Sequence, residues 1–190
     1  MRIITGKAKG KRLITLEGTA TRPTSERAKE AIFSAIQFEV EGRRVLDLFG
    51  GSGQMALEAL SRGAASADIV DSSDAAIKII NQNIKSTGLD GARATKADFA
   101  SFIRSARDKY DIIFLDPPYA LGLLPRALEL IEECGLVKPT SLIVCESANA
   151  DVFGENTALA DLFEISKSAK YGVAHVTCLR LRKQGGERDE

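Results

Sequence analysis

Short apolar runs alternate along most of this chain with longer stretches whose apolar residues recur three and four apart. The short runs read as strands buried on both faces, and the longer stretches as helices with one apolar side. Val45–Phe49 is the first central run. It enters Gly50-Gly51-Ser52-Gly53, and a helix follows with Met55, Ala56, Ala59 and Leu60 as its apolar positions, ended by Gly63. Residues 67–71 predict a second strand, ending in Asp71. The helix from about Asp74 buries Ile77, Ile80 and Ile84 and closes at Gly88. A weaker third strand near 93–96 leads to Asp98. A short helix comes next, with Phe99, Phe102 and Ile103 inward. Tyr110–Leu115 is the fourth strand, Leu123–Cys134 a helix with Pro125 in its first turn, and Ser141–Cys145 the fifth strand. After irregular residues 147–157 and a short helix, Phe163–Lys170 and Val173–Arg182 alternate in polarity. Joined at Tyr171-Gly172, they predict an antiparallel pair.

This alternation predicts an α/β doubly wound, mostly parallel sheet with right-handed crossovers. Ligands in such sheets bind beyond the carboxyl ends of the strands. The first four strand ends carry Asp47 with its glycine loop, Asp71, Asp98 and Asp116, so four acids are expected along one rim.

The fourth strand runs into Asp116-Pro117-Pro118-Tyr119. Two prolines remove two backbone donors and restrict φ, so the loop is stiff and rich in acceptors. The Asp116 carboxylate and the Pro117 carbonyl can accept from both N–H groups of an exocyclic amine. Tyr119 offers a face on which a base can stack. An amine on a heteroaromatic ring is a poor nucleophile because its lone pair is delocalised, and rigid acceptors can turn that lone pair towards an electrophile. A strand end with a capped, proline-rich turn is the bland alternative.

Gly51-Ser52-Gly53-Gln54-Met55-Ala56 fits G-x-G-x-x-A, with Asp71 18 residues beyond Gly53. That spacing allows a dinucleotide. Asp47 just before the loop would repel a pyrophosphate, and residues 45–61 contain no basic side chain. An adenosine cofactor with a cationic amino acid end, S-adenosylmethionine, fits better. Its amino group is expected near Asp47, its ribose on Asp71 and its adenine amine at Asp98. Asp98 also suits a simple helix cap.

Hydrophobic content of 44% and charged content of 27% over 190 residues suit one soluble domain with a full core. No apolar run reaches membrane-spanning length, and the first residues lack the pattern of a signal peptide. Cys134, Cys145 and Cys178 have no paired spacing and read as reduced thiols in the core or strands of a cytoplasmic protein. His175 reads as a strand residue, and no metal site is expected. The net charge of zero conceals an asymmetry. Residues 1–29 hold Arg2, Lys7, Lys9, Lys11, Arg12, Arg22, Arg27 and Lys29 against Glu17 and Glu26, an excess of six positive charges. Residues 2–5 and 12–16 predict a small β-hairpin with a basic tip. Arg22, Thr24 and Glu26 then fall at the start of a helix carrying Ala28, Ala31, Ile32, Ala35 and Ile36. A polyanionic partner at this end is the expectation.

Asp47-Leu48-Phe49-Gly50-Gly51-Ser52-Gly53 with Asp116-Pro117-Pro118-Tyr119 resembles class I S-adenosylmethionine-dependent amino-methyltransferases. Met1–Gly6, Lys9-Gly10, Thr21–Arg27, Leu57–Ala64 and Tyr171-Gly172 narrow it. Over nearly its whole length the chain resembles the bacterial 16S ribosomal RNA guanine-N2 methyltransferase family (RsmD-like). The resemblance implies a seven-stranded, mostly parallel Rossmann-like sheet with a terminal antiparallel hairpin and a small N-terminal hairpin. It implies one domain, with a basic extension over 1–20, a catalytic core over 21–183 and a polar tail over 184–190. It further implies methylation of N2 of a guanine, position 966, in 16S RNA as naked RNA, assembly intermediate or small subunit, with no membrane partner. The expected cofactor contacts are Asp47, Phe49, Gly50, Gly51, Ser52, Gly53, Asp71, Ser72, Asp98, Phe99, Thr24 and Glu26. The expected RNA contacts are Arg2, Lys7, Lys9, Lys11, Arg12, Arg22 and Arg27, and the methyl-accepting base meets Asp116, Pro117, Pro118 and Tyr119. Two departures stand out: the family usually has Ala at Gly50, and Asp71-Ser72-Ser73 is less charged than its counterpart. Rival readings are a DNA adenine-N6 or cytosine-N4 amino-methyltransferase, a protein glutamine methyltransferase and a non-catalytic nucleotide-binding module.

Overall fold

In the computed structural model, which describes residues 1–16 and 26–182, strand and helix alternate as the pattern predicts. The strands are β1 (Arg44–Asp47), β2 (Ser66–Asp71), β3 (Ala92–Lys96), β4 (Tyr110–Leu115), β5 (Val137–Ser147), β6 (Phe163–Tyr171) and β7 (Ala174–Leu181). The helices are α1 (Glu26–Ala35), α2 (Gln54–Ser61), α3 (Asp74–Thr87), α4 (Phe99–Ser105), α5 (Leu124–Glu133) and α6 (Thr157–Leu162). Residues 17–25, with the expected contacts Arg22 and Thr24, and the tail over 184–190 lie outside the described residues.

The strands form one seven-stranded sheet in the order β3-β2-β1-β4-β5-β7-β6. β1 to β5 are parallel, and β7 joins antiparallel to both β5 and β6. Side chains alternate between two cores, one on each face. Val45, Ile69, Ile112, Phe114 and Val144 pack under α1, α2 and α3, whereas Leu46, Val70, Ile113, Leu115 and Cys145 pack under α4, α5 and α6. The chain leaves β1 towards β2 and returns to β4 on the other side, so the sheet's switch point lies between β1 and β4. Such a point opens a crevice at the carboxyl ends of the strands. No helix among the described residues is long and apolar enough to cross a membrane.

Three expectations need correction. β5 extends past the predicted Ser141–Cys145 in both directions. Its early residues include Pro139, which a central ladder excludes; the β4–β5 register shifts between Tyr110 and Ile112, and that irregularity accommodates the proline. At its other end β5 takes in Glu146 and Ser147, both buried.

The N-terminal hairpin is reduced to a single antiparallel bridge, Arg2 to Arg12, closed by bonds such as Ile3 N to Lys11 O (2.9 Å). Donors that a longer ladder would use are taken by α2 instead. The Ile4 and Thr5 amides donate to the Glu58 carboxylate at 2.8 and 3.1 Å, Lys7 N to Ser61 O and Ala8 N to Ser61 Oγ. Gly6 lies so close to the Ser61 carbonyl that a Cβ there would sit 1.7 Å from its oxygen.

Lys29, which the charge pattern groups with the exposed basic residues, is fully buried, 3.3 Å from buried Glu58, and donates to Arg2 O at 2.6 Å. Desolvation lowers its pKa against the opposing pull of Glu58. It belongs to the core.

Candidate active site at the sheet switch point

The site begins at the end of β1. Asp47 is 3% exposed, and its Oδ2 accepts from Ala56 N at 3.3 Å, in the first turn of α2. Burial drives its carboxyl up to about 7, opposed by the Ala56 amide and aided by nearby Asp71. A cation placed beside such a carboxyl would favour its ionised form. Between Asp47 and α2 runs the glycine loop, tied to β2 by Gly50 N to Val70 O (2.8 Å). A Cβ on Gly50 would approach the Ile69 side chain to 2.5 Å, so the alanine common in the resembling family would require Ile69 to move. Here glycine and Ile69 are matched.

Asp71 at the end of β2 accepts from Gly51 N through Oδ2 and from Ser73 N through Oδ1, both at 2.9 Å. It pins the glycine loop and turns the chain into α3, whose cap is Ser73. An ionised carboxylate has about four lone-pair sites. Those two bonds use one lone-pair site on each oxygen. Ser72 is exposed beside it. At the next strand end Asp98 caps α4, its Oδ1 accepting from Ala100 N and Ser101 N at 3.0 and 3.2 Å. The capping role is thus real, whatever else Asp98 binds. Phe99, predicted inward, is only partly buried. It pairs with Phe49, ring centroids 5.5 Å apart and tilted by 39°, at the edge of the core under α4 and α5.

On the far side of the switch point β4 delivers the acceptor loop. Asp47 is in register with Phe114, so the two loops leave neighbouring strands side by side. Asp116 is partly buried, Pro117 buried and Pro118 exposed. Tyr119 starts a single 3-10 turn, Tyr119–Leu121, is 39% exposed, and donates from its hydroxyl to Glu146 Oε1 at 2.9 Å. Around this loop lies a cleft of about 340 Å³, walled by Pro117, Tyr119, Leu124, Glu146, Asn149 and Val152 among others.

The fold therefore brings together Asp47, Phe49, the glycine loop, Asp71, Ser72, Phe99 and the acceptor loop. Glu26 stands in the first turn of α1, with Arg2 Nε 3.8 Å from its carboxylate. Arg2, Lys7, Lys9, Lys11, Arg12 and Arg27 are exposed. Two residues escaped the sequence reading. Glu146 follows the apolar run Leu142–Cys145 as a fifth acidic strand end, a signal that was visible. Asn83, 0% exposed in α3, carried no signal. Its Oδ1 accepts from Ile14 N, and its Nδ2 donates to Ile14 O and Ser52 O, each at 2.9 Å, tying the N-terminal arm to the glycine loop.

A glycine loop after the first strand, an acid at the end of the second and an acceptor loop after the fourth, on this strand order, define the class I methyltransferase fold. A family described as "Conserved hypothetical protein 95" matches residues 1–180. The Bacillus subtilis protein named "Putative rRNA methyltransferase YlbH" is 39% identical over 186 residues, covering 96% of this chain and 100% of that one. The Escherichia coli "Ribosomal RNA small subunit methyltransferase D" is 33% identical over 147 residues, covering 77% and 74%. Among solved structures, the Escherichia coli "Putative methyltransferase yhhF" superposes with a TM-score of 0.83 at 28% identity, covering 97% of this chain and 99% of that one. The chain belongs to this family, as the motifs of its sequence implied.

Proposed function

We propose that this protein methylates ribosomal RNA of the small subunit, with the exocyclic N2 of a guanine as acceptor and S-adenosylmethionine as methyl donor. The observation that carries the reading is the juxtaposition at the switch point: the rigid Asp116-Pro117-Pro118-Tyr119 loop stands beside the Asp47 glycine loop. The names of the small-subunit methyltransferase D relatives support RNA as the substrate class.

The residues present suit this cofactor. The buried Asp47 carboxyl matches a cationic amino group, and the Asp71 carboxylate is an acceptor suited to ribose hydroxyls. Bound there, S-adenosylmethionine supplies an electrophilic methyl on a sulfonium. The protein's part is to position the base. Asp116 and the Pro117 carbonyl accept from the target amine and hold its lone pair out of conjugation, while Tyr119 stacks on a base turned out of its helix. Asp116 need not be a strong base, because the amine becomes acidic once methylated.

The test is labelled methyl transfer to small subunits lacking the modification, followed by mapping of the modified nucleotide. N2-methylguanine at one site is expected. In single-turnover assays Asp116→Ala should slow transfer at least ~100-fold with S-adenosylhomocysteine affinity nearly unchanged, as for removal of one positioning acceptor. Near-normal turnover in that variant, folded and cofactor-bound, removes the claim that this loop orients the amine.

A further inference from the structure

We propose that Glu146 selects guanine by accepting its N1–H, an inference that rests on the guanine-N2 reading above. Leu115 and Cys145 are register partners, so Asp116 and Glu146 are the next positions along two neighbouring parallel strands. Glu146 is 7% exposed, and its backbone is fixed on its other side by pairing with Val176 of β7. Its carboxylate walls the same cleft as Pro117 and Tyr119. The Tyr119 hydroxyl donates to Oε1 at 2.9 Å. That bond fixes the orientation of the carboxylate at the cleft wall.

The chemistry of the three amine-bearing bases makes this acid selective. The amine of adenine is flanked on its Watson–Crick edge by N1, an acceptor, and the amine of cytosine by N3, also an acceptor. Only in guanine does a donor, N1–H, stand beside the amine on that edge. A carboxylate next to the amine-holding loop therefore gains a charge-assisted hydrogen bond with guanine. It would set lone pair against lone pair with the other two. Site-lining groups that must pair with a substrate N–H reject analogues lacking it far more strongly than apolar pockets reject a missing methylene.

The experiment compares two small subunits reconstituted with 16S RNA ligated to carry, at the mapped target, either guanine or 2-aminopurine. The latter keeps the N2 amine and lacks both N1–H and O6, so the Glu146 variants are what assign the preference to this carboxylate. With wild-type protein, single-turnover transfer should favour guanine by about 100-fold or more. In Glu146→Gln the side-chain amide can rotate to donate to the bare N1. The preference should fall to about tenfold or less, as expected when one charge-assisted bond is removed. S-Adenosylhomocysteine affinity should stay within about twofold. Glu146→Asp, which keeps the charge but withdraws it by one methylene, should give an intermediate ratio. Equal wild-type rates on the two substrates, or a Glu146→Gln protein retaining the wild-type ratio, overturn the proposal. If Glu146→Gln fails to fold, Glu146→Asp carries the test, and a wild-type ratio retained in that variant overturns the proposal. Absence of N2-methylguanine from the guanine substrate with wild-type protein instead overturns the underlying function.

Discussion

Asp47 shows how one side chain can couple fold, cofactor and pH. Its carboxyl is held up to about 7 chiefly by burial. The folded, ligand-free protein therefore prefers it protonated. Its contribution to stability is complete below the unfolded carboxyl pKa of about 4 and is lost as pH rises through about 7. A cationic amino group placed beside it favours the ionised form and expels the proton. S-Adenosylhomocysteine affinity should accordingly rise between about pH 5 and 7, with release of nearly one proton. Calorimetry at pH 6 in two buffers of different ionisation enthalpy counts that proton. Asp47→Asn should bring the count to zero and weaken binding by about 1–3 kcal/mol, the usual worth of a hydrogen bond to a charged group. A wild-type count of zero would detach the amino acid end from Asp47. At the acceptor loop, Tyr119→Ala should cost about 1–3 kcal/mol of base stacking. Tyr119→Phe keeps the ring, removes the bond to Glu146 and should be hurt far less in RNA affinity, measured by equilibrium binding.

α2 is the element through which the arm and the cofactor loop meet. All eight of its residues are buried, including Gln54, Glu58 and Ser61, which an amphipathic helix would turn to solvent. The N-terminal arm covers Glu58 and Ser61, and Glu58 compensates its own burial by accepting from Ile4 N, Thr5 N and Arg62 Nε while facing Lys29. Glu58→Ala would leave the Lys29 ammonium buried without its counter-charge and two amides without acceptors. A decrease of about 3–5 kcal/mol in urea unfolding is expected. Little change would mean that the arm detaches readily and that α2 is stable with its polar face in water. Asn83 makes the second junction, from the arm's Ile14 to Ser52 of the glycine loop.

At the scale of the molecule, the arm is part of the folded body. Ile3, Ala8 and Leu13 belong to the core under α1, α2 and α3. Deleting it would uncover Lys29 and Glu58, so its role with RNA is better tested by charge than by truncation. Lys7, Lys9, Lys11 and Arg12 project from the body, and replacing them with Gln should leave the fold intact. If they meet phosphates, RNA affinity should fall and the salt dependence should become shallower, by about 0.7 in log–log slope for each phosphate no longer neutralised. An unchanged slope would place the RNA elsewhere on the surface.

The elements of the sheet, the glycine loop and the acceptor loop were legible in the sequence because each rests on local rules. Buried parallel strands are short apolar runs, proline and glycine stiffen or release the backbone where they stand, and an acid just after a strand sits at its carboxyl end. Strand order was not local: only the tertiary structure set β1 beside β4 and so brought Asp47's loop against Asp116's. The same holds for polar residues that look like surface. Lys29, Glu58 and Asn83 have the composition of a solvated helix face, and their burial depends on an arm more than ten residues away in sequence closing over them. Glu146 lay between the two cases. Its place at a strand end could be read from the preceding apolar run, but its partnership with Tyr119 required β4 and β5 to lie side by side in this register.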